Sequence, residues 1–347
     1  MEPSLQDYST SPSLSTLQPQ QIPLISYIDG KFQVDKKAIS VISKIKEPVA
    51  VLSIAGVYRS GKSFLLNQIL DRNDGFTTSP SHLPCTKGLW VWSVPMKVSN
   101  DNHPDFRLLI VDSEGIGSFS ANETYDTQVF SLALLMSSMF IYNSQGSIDD
   151  NAITRLGLVT ELSKYVKSKL GGLDNQAIFP SFLWVVRDFS LDLQITPKNY
   201  LEFALSSEER YTETERNKQQ IKASLKQYFR DRDCFTLVRP IHDEKKLQNA
   251  SKLESYEIRP EFRNQIEKLK QKILDTVAPK ELGGRMLNGR IIYQNLQNKN
   301  AKAVKTERGS NRVGKHSLRI RIRSSFLFLG KFKACGKRCS IPCWTIT

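Results

Sequence analysis

VLSIAGVYRSGKSFLLNQIL occupies residues Val51 to Leu70. An apolar, β-branched run (Val51, Leu52, Ile54) leads to Gly56, and a helical pattern starts at Gly61 with Phe64, Leu65, Leu66, Ile69 and Leu70. Between them, Gly56, Gly61, Lys62 and Ser63 fit G-x-x-x-x-G-K-[ST] in the strand–loop–helix context that the motif requires. Glycines let the backbone curl until successive amides point into one concavity, at the positive end of the following helix. Lys62 is expected to reach the β- and γ-phosphates of a nucleotide, and the Ser63 hydroxyl to bind Mg²⁺. This is a phosphate-binding loop; a glycine-containing turn before an ordinary helix is the plainer alternative.

Moving outward, Arg107 to Val111 is a short continuous apolar run, as expected of a strand buried on both faces. It ends in Asp112-Ser113-Glu114-Gly115. D-x-x-G following a buried strand, some fifty residues past a phosphate loop, predicts that Asp112 holds Mg²⁺ through a water and that the Gly115 amide meets the γ-phosphate. Thr86 lies where its hydroxyl can join the same Mg²⁺. Further strands are expected at Pro23–Ile28, Leu89–Val94, Met139–Tyr142, Phe182–Val186 and Cys234–Val238. Helices are expected at Lys36–Ile45, Thr127–Met136, Ile148–Val166, Thr196–Ala204, Thr214–Phe229 and Ile258–Val277. The apolar segment Phe130 to Tyr142 reads as a buried helix running into a buried strand, too short and too Ser-interrupted to span a bilayer. Strands alternating with helices predict an α/β fold with a mainly parallel central sheet covered on both faces. Asp71 to Leu83 reads as a mobile polar loop, and Asn100 to Pro104 as a turn.

The chain has 347 residues, an apolar fraction of 39% and a formal charge of +14. From Ala301 onward there are six Lys and six Arg against Glu307 alone, so +11 belongs to the tail and residues 1–300 carry only +3. That distribution, with no recognisable module, argues against specific nucleic-acid binding. Five cysteines and no signal peptide fit a reducing cytosol. Cys335, Cys339 and Cys343 match no zinc or cluster spacing, and Cys343 is fifth from the end, where prenylation needs the fourth.

Base choice rests on the end of the Phe182–Val186 strand, which delivers Arg187-Asp188. The usual guanine-reading N-K-x-D is missing; Asn217-Lys218-Gln219-Gln220 lacks the acid. Guanine offers two adjacent donors that one carboxylate accepts together, whereas adenine offers no such pair. Asp188 is the best candidate, with an Arg–Asp surface pair as the alternative on those two residues alone.

GVYRSGKS, PCTKGLWVW, LLIVDSEGIGS, FIYNSQGSID and the strand ending in Arg187-Asp188 resemble the GTPase domain of guanylate-binding proteins, in the dynamin superfamily. The resemblance runs from about Pro23 to Asn298 and implies a P-loop, Ras-like/dynamin-like GTPase fold. It implies that Gly56, Tyr58, Arg59, Ser60, Gly61, Lys62, Ser63, Phe64, Thr86, Asp112, Gly115, Arg187 and Asp188 surround the nucleotide. Ser63, Thr86 and Asp112 would hold Mg²⁺, and Arg187-Asp188 would read guanine. Arg59 matches the family's internal arginine finger, and Glu114 an acid that organises the attacking water. The segment Cys234 to Pro240 resembles the start of the loop that caps the base. The implied activity is Mg²⁺-dependent GTP hydrolysis in domains that pair as homodimers, in the cytosol or peripherally on membranes. A GTP-binding regulatory or scaffold protein with little turnover is the alternative. Pro84 stands where some animal members carry a Ser that serves the water network, and it offers neither a hydroxyl nor an amide.

The expected organisation is a disordered tail at 1–22, the GTPase domain at 23–280, an exit segment at 281–300 and a basic, Cys-containing tail at 301–347. Resemblance stops after Gly283 to Gly289, without the family's helical stalk. A truncated reading frame continued through an intron or frameshift is the expected reason, and a divergent basic tail the alternative.

Overall fold

The computed structural model describes residues 17–78, 86–116, 123–157, 179–206, 213–248, 253–282, 285–292, 305–308 and 318–321. In chain order the elements begin with β1 (Gln21–Ile28), β2 (Lys31–Val34), α1 (Lys36–Ile42), β3 (Val49–Gly56) and α2 (Lys62–Ile69). Then come β4 (Leu89–Trp92), β5 (Met96–Asn100), β6 (His103–Ser113), α3 (Glu123–Met136), β7 (Met139–Gln145), α4 (Asp150–Arg155) and β8 (Ser181–Arg187). The remainder are α5 (Pro197–Ala204), α6 (Glu213–Tyr228), β9 (Arg232–Thr236), α7 (Glu244–Leu247), α8 (Pro260–Thr276), and the short strands β10 (Glu281–Leu282), β11 (Arg285–Met286), β12 (Lys305–Arg308) and β13 (Leu318–Arg321).

β3 is the centre. All eight of its residues are buried, because β6 and β7 flank it in parallel and helices cover both faces. Side chains alternate across a strand, and the core divides accordingly. Val49, Val51 and Ala55 join Leu109, Val111, Phe140, Tyr142, Phe182 and Trp184 beneath α1, α3 and α6. Ala50, Leu52 and Ile54 join Leu108, Ile110, Ile141, Leu183 and Val185 beneath α2 and α8. The sheet has nine strands in the order β2-β1-β4-β6-β3-β7-β8-β9, with β5 also on β6. β6, β3, β7, β8 and β9 run parallel, and β1, β2, β4 and β5 add an antiparallel side. The carboxyl ends of the parallel strands therefore share one edge, where ligands of open α/β sheets bind.

Several expectations need correction. β1 begins at Gln21, Leu17 packs partly buried against the core, and residues 18–20 are exposed but tied down by hydrogen bonds at Gln18 and Gln20, so the expected disorder through Ile22 does not hold from Leu17 onward. The Ser93 hydroxyl and backbone N–H bond to Gln18 and Gln20, which dock this segment beside β4. The loop after α2 is anchored in its first half: Phe76 is buried, and its N–H and carbonyl bond both ends of the Asn67 amide. Residues 79–83 lie outside the described residues. β5 has no counterpart in the sequence reading, because only Val98 of its five residues is buried. It forms a hairpin with a β6 that starts at His103, inside the expected turn. β9 ends at Thr236 rather than Val238, although the Leu237 N–H still bonds the Val186 carbonyl. Of the long helix expected from Ile148, the described part is α4, capped by the Asp149 carboxylate on the Ala152 N–H; the rest lies outside the described residues, as do Pro84 and Cys335, Cys339 and Cys343. In the tail, β12 and β13 pair antiparallel. Among the described residues no helix is long and apolar enough to cross a membrane.

The exit segment is a docked strap. Val49 N–H bonds the Leu287 carbonyl, Lys280 N–H the Val49 carbonyl and Gly289 N–H the Ile45 carbonyl. A Cβ on Gly289 would lie 1.8 Å from the Ile42 carbonyl oxygen, so only glycine fits there. This strap grips β3 at the end opposite the phosphate loop.

Candidate nucleotide-binding site

The loop after β3 is built by close backbone approach. Gly56 has φ 153°, and a Cβ there would lie 2.1 Å from the Asn143 carbonyl oxygen of β7. The chain then turns through Arg59 at φ 65° and Gly61 at φ 75°. The Ser60 hydroxyl donates to the Val57 carbonyl at 2.7 Å. The Asn143 amide donates to the Ser60 carbonyl at 2.9 Å and its hydroxyl at 2.8 Å. Gly61 caps α2 without a side-chain bond, and no acid occupies the helix's first turn. Its first amides therefore point out of the helix with no carboxylate competing for them, an arrangement suited to phosphate.

Residues after β6 are laced to this loop. Tyr58 N–H bonds the Ile116 carbonyl at 2.9 Å, and Ile116 N–H the Gly56 carbonyl at 3.0 Å. A Cβ on Gly115 would lie 2.4 Å from Tyr58 Cα and 2.8 Å from Lys62 Nζ. Lys62 is buried, its Nζ donating to the Val57 carbonyl at 3.2 Å.

Asp112 is 1% exposed at the end of β6. Its Oδ2 accepts the Ser63 hydroxyl at 2.6 Å and the Thr86 hydroxyl at 3.2 Å, while its Oδ1 is buried with no hydrogen-bond partner. Burial pushes the Asp112 carboxyl up, against the opposing pull of the Ser63 hydroxyl and the Lys62 charge. An orphaned carboxylate oxygen beside two hydroxyl oxygens is a hard donor set of the kind Mg²⁺ takes, usually with retained waters. Among the described residues no group of three His, Cys, Asp or Glu forms any other metal cluster.

The remaining predicted residues sort differently. Glu114 Oε2 accepts the Tyr125 hydroxyl at 2.6 Å and the Gly88 N–H at 3.1 Å. Arg59 is exposed, with its guanidinium carbon 5.3 Å from the Tyr58 ring centre. The Phe64 side chain is buried against Phe262, so only its backbone faces the loop. Arg187 is 4% exposed, which excludes the surface-pair alternative. It donates to the Gly61 carbonyl at 3.3 Å and lies 5.6 and 5.7 Å from the Phe64 and Phe262 ring centres. Burial lowers its pKa, and the nearby Asp188 charge opposes that. Arg187 thus sits beneath the phosphate loop. Asp188, at φ 55°, is half-buried and accepts a bond from Gln145 at 3.3 Å.

Sequence reasoning missed Asn143, Tyr125 and Gln145. Asn143 and Gln145 lie in FIYNSQGSID, just past the apolar run Met139–Tyr142 that marked the strand, in the part of β7 that the run did not reach.

A glycine-built loop between a buried parallel strand and a helix, with Lys62 and a buried Asp112 at its mouth, defines a P-loop nucleotide-binding domain. The family model described as the N-terminal domain of guanylate-binding protein matches residues 29–282. The chain belongs to that family. Guanylate-binding protein 3 of Homo sapiens is 34% identical over 281 residues, which cover 77% of this chain and 46% of the relative. Guanylate-binding protein 1 of Chlorocebus aethiops and guanylate-binding protein 5 of Homo sapiens are each 34% identical over 281 residues, 77% of this chain and 47% of theirs. The chain spans about half the length of the curated relatives it matches.

Proposed function

We propose that this chain binds GTP at the phosphate loop and hydrolyses it to GDP and phosphate. The observation that carries the reading is the buried Asp112 carboxylate, with one oxygen on two hydroxyls and the other unpartnered. The names of the relatives, guanylate-binding proteins, support guanine as the base, and Asp188 is the acid to accept its paired donors. Ser63, Thr86 and Asp112 would hold Mg²⁺, which when bound supplies positive charge to the phosphate oxygens.

The chain's own residues supply the rest. The α2 amides and Lys62 neutralise the β- and γ-phosphates, and water attacks phosphorus in line with the departing β-oxygen. Arg59, exposed at the loop's rim, swings inward over the charge that develops there. Two such domains pairing across their nucleotide faces would hold it in place.

Titration with GTP and ATP, with phosphate release followed on the same samples, tests the reading. GTP should bind far more tightly than ATP and release phosphate. Lys62→Ala should weaken GTP by about tenfold or more, since the phosphates lose a charge-assisted partner. Equal affinity for both nucleotides, or an unaltered Lys62→Ala protein, would overturn it. GTP binding without phosphate release would make the chain a GTP-dependent regulator or scaffold instead.

A further inference from the structure

Three hydrogen bonds converge on Gly88, two residues after Thr86. Its N–H is shared between Glu114 Oε2 and the Tyr125 hydroxyl oxygen, both at 3.1 Å. Its carbonyl accepts the Glu114 N–H at 3.0 Å. On the other side, a Cβ at this residue (φ 72°) would lie 2.2 Å from the Ile25 carbonyl oxygen. Gly88 is therefore clamped between β1 and the residues after β6. Thr86, on the same short segment, is the hydroxyl that reaches Asp112.

Tyr125 closes this clamp. Its hydroxyl donates to the Glu114 carboxylate at 2.6 Å while accepting from Gly88. Burial and the Glu114 charge push its pKa up, which keeps the phenol protonated and donating. Its ring packs 4.9 Å from Tyr27 of β1 and 5.9 Å from Phe32 of β2, centre to centre. The hydroxyl's position is thus fixed by the β1–β2 hairpin, away from the phosphate loop. A phenylalanine would keep that ring packing; only the hydroxyl speaks to Glu114 and Gly88. Hydrolysis by the residues around the phosphates makes no use of it.

We propose that Tyr125 is a positioning residue, holding the Thr86–Gly88 segment in its Asp112-bound arrangement through Glu114 and the Gly88 amide. The inference rests on the GTPase reading above and deepens it. It makes the β1–β2 hairpin a structural support of the metal-side hydroxyl.

The test is Tyr125→Phe in the full chain. Turnover should fall about tenfold, the worth of one hydrogen bond to a carboxylate. KM for GTP should stay within about twofold, because the phosphate loop is untouched. The Mg²⁺ concentration giving half-maximal GTP binding should rise by about threefold or more, while GDP affinity in EDTA stays unchanged. Amide hydrogens of the segment from Gly88 to Trp92 should exchange faster, with the melting temperature lowered by only a few degrees, about what one lost hydrogen bond costs. A variant with parental turnover and parental Mg²⁺ requirement would overturn the proposal. A parent that binds GTP but releases no phosphate would defeat the hydrolysis reading alone, and the Mg²⁺ requirement and the exchange rates would then decide the role of Tyr125.

Discussion

Lys280→Met should abolish a pH dependence of stability that the parent carries between about pH 7.5 and 9. Lys280 is buried at the strap, and its Nζ donates to the Leu135 carbonyl at 2.7 Å and the Ser137 carbonyl at 2.9 Å. Those carbonyls lie at the C-terminal end of α3, where a cation is favoured. Burial nonetheless lowers the amine from 10.5 to about 7. In the unfolded chain it keeps its ordinary pKa. Above pH 7 the folded amine is largely neutral while the unfolded one still holds a proton. The unfolded state then binds more protons, so stability rises with pH, by up to about 1.4 kcal/mol per pH unit for one such group. Across the window the gain is on the order of 2 kcal/mol.

The upper limit of the window comes from Cys234. Burial pushes its thiol up to about 12, so above pH 9 the unfolded thiol ionises first and its opposing slope offsets the rise from Lys280, levelling the curve. Tyr142, raised by burial to about 12, acts in the same sense from about pH 10. Urea unfolding followed by tryptophan fluorescence at four pH values between 7.5 and 9 reads the slope directly. The measured quantity is the difference in slope between parent and Lys280→Met; the variant's absolute stability also reflects two carbonyls left without their donor. Equal slopes would refute the buried, depressed amine.

Two further outcomes test the site. Asp188→Asn should weaken GTP by about tenfold or more and raise the relative affinity for xanthosine triphosphate, whose oxygen can accept from the new amide; nucleotide titration reads both, and equal loss for the two would remove Asp188 from base recognition. Arg59→Ala should lower kcat by at least about tenfold with much less effect on GTP affinity. Parent specific activity should also rise with protein concentration; a flat dilution series would remove pairing as the trigger, and an equal rate in the variant would remove the arginine.

The sequence was most readable where backbone geometry dictates residue type. Gly56 and Gly61 are required by close approach and positive φ, so the motif names the loop by itself. The buried strands β3, β6, β7 and β8 were equally visible, because cover on both faces makes them continuously apolar. β2 and β5 belong to the antiparallel side and bury little, leaving no such run to read. Asn143 and Lys280 were invisible for a different reason: their partners lie 83 and 145 residues away. Arg187 was legible in part. Alternation along β8 puts it on the face of Leu183 and Val185, which packs beneath α2 and α8. That period of two places it beside Phe64 and Phe262, whereas its pairing with Asp188 as a reader of guanine rested on the family resemblance alone.

The described non-glycine residues with positive φ are Asp29, Arg59, Asp71 and Asp188. Two have ordinary local causes. Asp29 precedes Gly30 in the β1–β2 turn, and Asp71 follows the C-cap of α2, both places where the left-handed region is commonly used. Arg59, at the third position of the turn closed by the Ser60 N–H on the Val57 carbonyl, and Asp188, just past β8, stand where glycine is the easier residue. For an L-residue such as Arg59 the region costs roughly 1–2 kcal/mol. Each is held by its neighbours. Ser60, next to Arg59, is tied to Val57 and Asn143. Around Asp188, Gly146 N–H bonds the Arg187 carbonyl and Phe189 N–H the Leu237 carbonyl. Those partners sit on or just beyond β3, β7, β8 and β9, the parallel half of the sheet. Strain of this kind persists only where the surroundings over-determine it. The rigid strands therefore hold two functional candidates, one in the phosphate loop after β3 and one at the end of β8, in conformations that the chain alone would not favour.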